Sequence, residues 1–256
     1  MDFSDRTAII TGGAGGFGNS FAEALAAAGC KVVLADVEQE KVERNARAIN
    51  KAGGQAVGFV CDVTQARDVD ALIAKTLDTF GALDILINNA GGSLGVPKVP
   101  IDEIREEDWD RVMDVNLKGT FLCTRAATGP MKAARYGKIV NLSSITARVG
   151  GQLTPVQYVS AKGAIISFTR HVAQELGPYG INVNAVAPGI VLTERLQKMW
   201  YGRKTERERE EYLNRIPLRR LATPTEITRV VLFLCSDEAS FITGVTLDVN
   251  GGLFSV

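Results

Sequence analysis

The chain has 256 residues, 46% hydrophobic and 23% charged, with 26 glycines and 8 prolines; this is globular composition and excludes disordered and collagen-like classes. Twenty-nine basic residues balance 29 acidic ones, so the positive excess that non-specific nucleic-acid or anionic-membrane binding draws on is absent. Cys30, Cys61, Cys123 and Cys235 lack metal or disulfide spacing, and a single histidine, His171, excludes multi-imidazole metal sites and any Ser-His-Asp triad that does not use it.

Taken in chain order, short β-branched apolar runs at residues 7–11, 31–35, 56–60, 85–87, 138–142, 182–187 and 245–249 predict buried strands. Helical spacing at 17–28, 38–52, 66–80, 107–134, 159–177 and 225–237 predicts helices between most of them. This alternation predicts an α/β fold with a parallel sheet covered by helices on both faces. Gly29 and the Gly53-Gly54 pair stop the first two helices. With no linker, repeat or low-complexity tract, residues 1–256 are expected to form one domain. The irregular stretch 194–219 mixes both charge signs with Trp200, Tyr201 and Tyr212 and is expected to be a helical lid. With residues 92–102 it is expected to line a substrate pocket through Leu94, Val96, Leu196, Met199, Trp200 and Tyr201. The first residues lack a basic-then-apolar leader and no apolar run reaches spanning length, which predicts a cytoplasmic protein without a membrane partner.

The first strand runs into Thr11-Gly12-Gly13-Ala14-Gly15-Gly16-Phe17-Gly18 and then into a helix. Such glycines allow a tight turn and let a pyrophosphate approach backbone N–H groups at a helix N-terminus, where the helix dipole favours an anion. The loop fits two registers, Gly13-x-Gly15-x-x-Gly18 and Thr11-Gly12-x-x-x-Gly16-x-Gly18, so the glycines alone discriminate weakly. Asp36, ending the second strand, decides the context: its carboxylate can accept from adenosine ribose hydroxyls and repels a 2′-phosphate, and Gly13-Ala14-Gly15 offers no Arg or Lys to receive one. NAD is predicted over NADP.

Tyr158 and Lys162 stand four residues apart at the start of an apolar helix and project from one face. A nearby ammonium stabilises phenolate and lowers the phenol pKa toward neutrality, which suits general acid–base chemistry. The same spacing is common on helices without function, so the pair needs its surroundings.

The Thr11–Gly18 loop, Asn88-Asn89-Ala90-Gly91, Asn116, Ser144, the Tyr158-x-x-x-Lys162 pair and Pro188-Gly189, in this order, resemble the short-chain dehydrogenase/reductase family in its compact single-domain branch, over nearly the whole chain. The resemblance implies a doubly wound Rossmann fold on a seven-stranded parallel sheet, and oxidation of alcohols or reduction of carbonyls with a nicotinamide dinucleotide. It implies that Tyr158 exchanges the substrate proton, that Lys162 lowers its pKa and hydrogen-bonds the nicotinamide ribose, and that Ser144 holds the substrate oxygen. Ser144 lies fourteen residues before Tyr158, one more than the family's commonest spacing, and a small insertion within residues 147–157 accounts for it. Asn116 would anchor a water path toward Lys162 by breaking its helix's hydrogen-bond ladder. Gly12, Gly16, Phe17 and Gly18 would cradle the pyrophosphate, Asn89 and Ala90 would wall the adenosine side, and Asp62 and Val63 would contact adenine. Pro188, Gly189, Val191 and Thr193 would lie against the nicotinamide and its carboxamide. His171 receives no role.

The resulting expectation is an NAD-dependent oxidoreductase acting on a small secondary alcohol or ketone, and family likeness together with the nearly uncharged segment 245–254 suggests a homotetramer. A 3-ketoacyl-thioester reductase ranks second, because that activity usually goes with NADPH and a basic residue in the glycine loop. A non-catalytic NAD-binding sensor or scaffold ranks third.

Overall fold

Seven apolar runs become seven strands in the computed structural model, which describes residues 1–150, 154–203 and 205–255. They are β1 (Thr7–Thr11), β2 (Lys31–Asp36), β3 (Gln55–Val60), β4 (Ile85–Asn88), β5 (Gly137–Leu142), β6 (Ile181–Pro188) and β7 (Thr246–Val249). Every pairing is parallel, in the order β3-β2-β1-β4-β5-β6-β7. Because β1 is buried along its whole length, it reads as an unbroken apolar run and not as an alternating one. The period of two still divides its residues: Ala8 and Ile10 join the core on one side of the sheet, Ile9 the core on the other.

The crossover segments form α1 (Gly16–Ala27), α2 (Gln39–Lys51), α3 (Ala66–Phe80), α4 (Glu106–Met113), α5 (Gly119–Ala134), α6 (Thr146–Val149), α7 (Val156–Leu176), α8 (Glu194–Arg203), α9 (Glu206–Asn214) and α10 (Pro224–Cys235). α1, α2 and α10 cover one face; α3, α5 and α7 cover the other. Gly81, at φ +79, stops α3 in the left-handed conformation that a Cβ disfavours. The chain winds outward from β1 to β3, then returns through β4 and winds the other way. Loops leaving the C-terminal ends of β1 and β4 therefore diverge and open a crevice at this reversal.

The single helix predicted over 107–134 is interrupted. Residues Asp114–Lys118 form a π turn between α4 and α5. The cause is local: Asn116 Nδ2 donates to Val112 O at 2.8 Å, taking the carbonyl that the residue-116 amide would use in a regular helix.

The expected lid segment forms α8 and α9, and α9 starts with a capping box in which Thr205 and Glu208 bond each other's backbone N–H. Trp200 corrects one expectation. It does not face a substrate cleft but is buried with Ile216 and Leu221, edge-on to Tyr212 at 5.4 Å. Tyr201 is exposed beside Arg209. These helices are too small to share the sheet's core, so they bury their largest ring against each other. The expected insertion within 147–157 includes residues 151–153, which lie outside the described residues, and nothing is described of the Met199 side chain.

Candidate active site

The crevice at the strand reversal is a cleft of about 740 Å³. At its β1 end the glycine loop resolves its own register. Gly12 and Gly16 adopt φ of +68 and +56, and a Cβ on Gly18 would run into the Gly12 carbonyl oxygen, so every glycine of Thr11-Gly12-x-x-x-Gly16-x-Gly18 is required by conformation or space, whereas Gly15 of the other register is not. Gly13 also has no room for a side chain, since a Cβ there would stand 2.8 Å from Leu34 Cβ, while beyond Gly15 and Gly16 there is open space. That opening, at the N-terminus of α1 where no acidic side chain stands in the first turn, leaves backbone amides facing the cleft for a pyrophosphate.

Thr11 and Asn89 join this loop to the one after β4. The Thr11 hydroxyl accepts from the N–H groups of Asn89 and Ala90 at 3.0 and 3.1 Å. Asn89 Nδ2 donates back to the carbonyls of Thr11 and Gly12 at 2.9 and 3.1 Å. Thr11, which the sequence named only as the first position of the loop pattern and gave no role of its own, is the residue whose hydroxyl ties the two loops together. Below them, Asn88 Nδ2 donates to Asn141 Oδ1 at 2.8 Å, tying β4 to β5 inside the core.

On the adenosine side, Asp36 Oδ2 accepts from the Ala14 N–H at 3.1 Å and Oδ1 from the Glu38 N–H at 3.3 Å. Asp62 Oδ1 accepts from the Thr64 N–H and hydroxyl at 2.9 and 2.8 Å. It closes an Asx turn and does not cap α3, whose N-cap is Gln65. Both carboxylates line the cleft with Val37, Val63, Asn89 and Ala90, and Phe17 lines it while stacking on Phe21 at 5.9 Å.

On the other side, the turn after β5 supplies Ser144 and α7 supplies Tyr158 and Lys162, all lining the cleft. Ser143 Oγ donates to the Lys162 carbonyl at 2.8 Å, a structural bond. Ser144 Oγ accepts from the N–H and hydroxyl of Thr146 at 3.2 and 3.0 Å, which fixes its direction in the cleft. Lys162 is 5% exposed; its Nζ donates to Leu142 O at 2.6 Å and stands 5.6 Å from the centre of the Tyr158 ring.

Burial pushes the Lys162 ammonium down to about 8. It also pushes the Tyr158 phenol up, against a hydrogen-bonding contribution from Ser144. The sequence expectation of a phenol acidified by its helical neighbour is therefore corrected for the protein alone. Desolvation penalises both charged forms and leaves Tyr158 protonated at neutral pH.

Asn116 sits behind this wall. Its Oδ1 accepts from the Gly92 N–H at 2.9 Å, and its Nδ2 donates to Gly92 O at 2.9 Å as well as to Val112. A Cβ on Gly91 would strike Asn116 Oδ1 and stand 3.4 Å from Lys162 Nζ, so a glycine there lets the amide and the ammonium approach. Leu94, at φ +52 with its carbonyl accepting from Arg111 at 3.4 Å, lines the cleft next to this loop.

Pro188, Gly189 and Thr193 complete the far wall. Val191 lies beneath, its side chain buried and its backbone bridged to Ala222; its carbonyl accepts from the Thr193 N–H at 2.7 Å. Thr193 Oγ1 accepts from the Leu196 N–H at 3.3 Å as α8 begins. Gly18 and Asn116 likewise support the cleft from behind, and His171 is exposed on α7.

One continuous cleft thus combines an open glycine cradle, two carboxylates at the ends of neighbouring strands, and a Ser–Tyr–Lys group in which Ser144 and Lys162 are buried and Tyr158 half-buried. A dinucleotide fits these donors and acceptors. A family model described as enoyl-(acyl carrier protein) reductase matches residues 12–254. The chain is 39% identical over 252 residues to subunit BbsD of a hydroxy(phenyl)methylsuccinyl-CoA dehydrogenase from Thauera aromatica, covering 98% of each chain. It is 39% identical to 2-(S)-hydroxypropyl-CoM dehydrogenase 3 from Xanthobacter autotrophicus, covering 96% of each. A crystal structure from Sinorhizobium meliloti, provisionally named a short-chain alcohol dehydrogenase, superimposes with a TM-score of 0.90 at 36% identity, covering 98% of this chain and 97% of that one. The protein belongs to the short-chain dehydrogenase/reductase family, whose oxidoreductases act on CH–OH or ketone groups with a nicotinamide dinucleotide. Among the described residues no helix is long and apolar enough to cross a membrane.

Proposed function

We propose that the protein interconverts a secondary alcohol of modest size and its ketone with NAD(H), using Tyr158 as general acid–base. The observation that carries this reading is that Ser144, Tyr158 and Lys162 share one cleft with Asp36. When bound, the dinucleotide supplies the hydride donor or acceptor. In reduction the carbonyl carbon gains the hydride while the neutral Tyr158 phenol gives its proton to the carbonyl oxygen; oxidation returns that proton to the phenolate. Ser144 Oγ holds the same oxygen and steadies its developing charge. Lys162, pinned at the end of β5, offers its charge to the phenolate when oxidation starts. Asn116 positions the Gly91–Gly92 loop beside the ammonium.

The choice of NAD over NADP is supported by the Asp36 carboxylate in the cleft and by the absence of a cation in Gly13-Ala14-Gly15. A thioester substrate is the second reading, favoured by the CoA substrate in the BbsD relative's name and the acyl-carrier description of the family model. The same reading takes the protein as a cytoplasmic homotetramer, the assembly supported by family likeness; sedimentation tests the oligomeric state. The decisive test of function is NADH and NADPH oxidation with a panel of ketones and 3-oxoacyl thioesters. Turnover of simple ketones with NADH supports the proposal, and activity confined to thioesters overturns the substrate assignment. Binding of NAD without turnover of any of them favours the sensor.

A further inference from the structure

Helix α2 buries Val42, Asn45, Ala46 and Ile49, the i, i+3, i+4, i+7 stripe of an amphipathic helix. Three of these are apolar and belong to the sheet-facing core. Asn45 breaks the pattern, and it is 9% exposed. A buried amide among apolar neighbours costs stability unless it is hydrogen-bonded, so its partners indicate what it does.

They lie in the glycine loop. Asn45 Nδ2 donates to Gly13 O at 3.1 Å and to Ala14 O at 3.2 Å. The same short segment is held from the sheet side: the Gly13 N–H donates to Ala35 O at 3.1 Å, and the Ala14 N–H donates to Asp36 Oδ2 at 3.1 Å. Residues 13 and 14 are thus gripped between α2 and the end of β2. The grip has a firm base, because a Cβ on Gly58 of β3 would stand 2.7 Å from the Val42 carbonyl carbon. α2 therefore rests directly on β3, and Asn45, one turn further along, cannot shift independently of the sheet.

We infer that Asn45 is a positioning residue for the adenosine end of the dinucleotide: through the Gly13 and Ala14 carbonyls it fixes the loop whose amide in turn orients the Asp36 carboxylate. It touches neither the reacting atoms nor the substrate. Its effect falls on how tightly the dinucleotide is held and how strongly a 2′-phosphate is rejected, since a loosened Ala14 lets Asp36 turn away. The inference rests on the NAD(H) reading above.

The test compares Asn45→Leu, which keeps the stripe apolar and removes both donated bonds, with the wild type. Dissociation constants are measured calorimetrically for NAD⁺, NADP⁺ and AMP, alongside kcat and KM. Asn45→Leu weakens NAD⁺ and AMP by the same factor, about tenfold for the loss of two buried hydrogen bonds. It narrows the preference for NAD⁺ over NADP⁺, and it leaves KM for the alcohol and kcat at saturating NAD⁺ within about twofold. Asn45→Ala, which adds no bulk, reproduces this pattern if Leu does not pack. Wild-type affinity for NAD⁺ and AMP in both variants overturns the inference, as does a fall in Tm with unchanged affinities, which makes Asn45 a brace only. A wild-type protein that binds neither dinucleotide overturns the underlying reading, and the inference with it.

Discussion

Lys162 Nζ donates a 2.6 Å hydrogen bond to the main-chain oxygen of Leu142, so the cation beside Tyr158 is held by the last residue of β5. That bond fixes its place, but burial opposes its charge and brings its pKa down to about 8. The Tyr158 phenol shifts the other way and keeps its proton in the same range. In the reductive direction kcat/KM, which reports the free enzyme's groups, is therefore expected to hold below about pH 8 and to fall above it as Lys162 becomes neutral. A profile flat to pH 10 contradicts this.

The same shift makes Lys162 a cost to the fold. Its folded-state pKa lies below its ordinary 10.5, so between about pH 8 and 10.5 the unfolded chain binds the extra proton and the lysine's contribution to stability rises with pH. Below pH 8 the penalty is complete, at most roughly 3 kcal/mol. Lys162→Met is expected to be more stable than the wild type at pH 7, with the gap in Tm closing by pH 10. A gap that widens with pH contradicts the burial argument.

Gly18 and Gly15 separate folding from binding in one loop. Gly18→Ala drives a methyl into the Gly12 carbonyl and is expected to cost roughly 1–3 kcal/mol in chemical denaturation. Gly15→Ala meets nothing within 4 Å and is expected to leave stability within about 0.5 kcal/mol. Its methyl instead enters the open cradle, so NAD⁺ affinity drops. Equal stability losses in the two variants would mean the loop is not packed as described.

The half-buried pair between Arg148 Nε and Asp248 Oδ1, at 3.1 Å, ties α6 to β7 close to Ser144. Arg148→Met is expected to destabilise by roughly 1–3 kcal/mol, because Asp248 loses its partner, and to lower kcat more than affinity for NAD⁺, because Thr146 on α6 orients the Ser144 hydroxyl. Adding Asp248→Leu recovers stability but not kcat. Recovery of both in the double variant contradicts the link to Ser144.

All four cysteines are buried, and desolvation pushes Cys30 and Cys61 up to about 12 and Cys123 and Cys235 further. A chromogenic disulfide reagent at pH 8 is expected to find no reactive thiol in the native protein and four after denaturation. Because the folded thiols keep protons that the unfolded chain releases above about pH 9, the thiols' stability contribution declines from there upward. Rapid labelling of Cys61, which borders the cleft, is the contrary result.

The central strands were readable because buried parallel strands are largely apolar runs, as Thr7–Thr11 illustrates; β3 and β7, expected to be buried as well, are edge strands and only partly covered. The glycine loop was readable because a turn against a strand end restricts the residues it can use. The break at Asn116 was legible only through the family resemblance: the apolar spacing over 107–134 reads straight through it, because the side-chain amide that takes the Val112 carbonyl leaves no mark on the periodicity. Trp200 misled because an aromatic residue in a small helical segment serves a pocket or a local core equally well, and periodicity does not choose. The Tyr158–Lys162 spacing revealed the pair but not the burial that sets its protonation. Asn45 left a legible trace, an amide in an apolar stripe, whose meaning depended on where the glycine loop came to lie.

The central claim, that the Tyr158 phenol carries the substrate proton, is tested most directly by Tyr158→Phe, measuring NAD⁺ affinity and turnover on the same preparation. The account predicts NAD⁺ binding within about threefold of the wild type with turnover reduced at least about a hundredfold, the scale of a lost general acid. Turnover that survives the substitution with its pH dependence unchanged contradicts it.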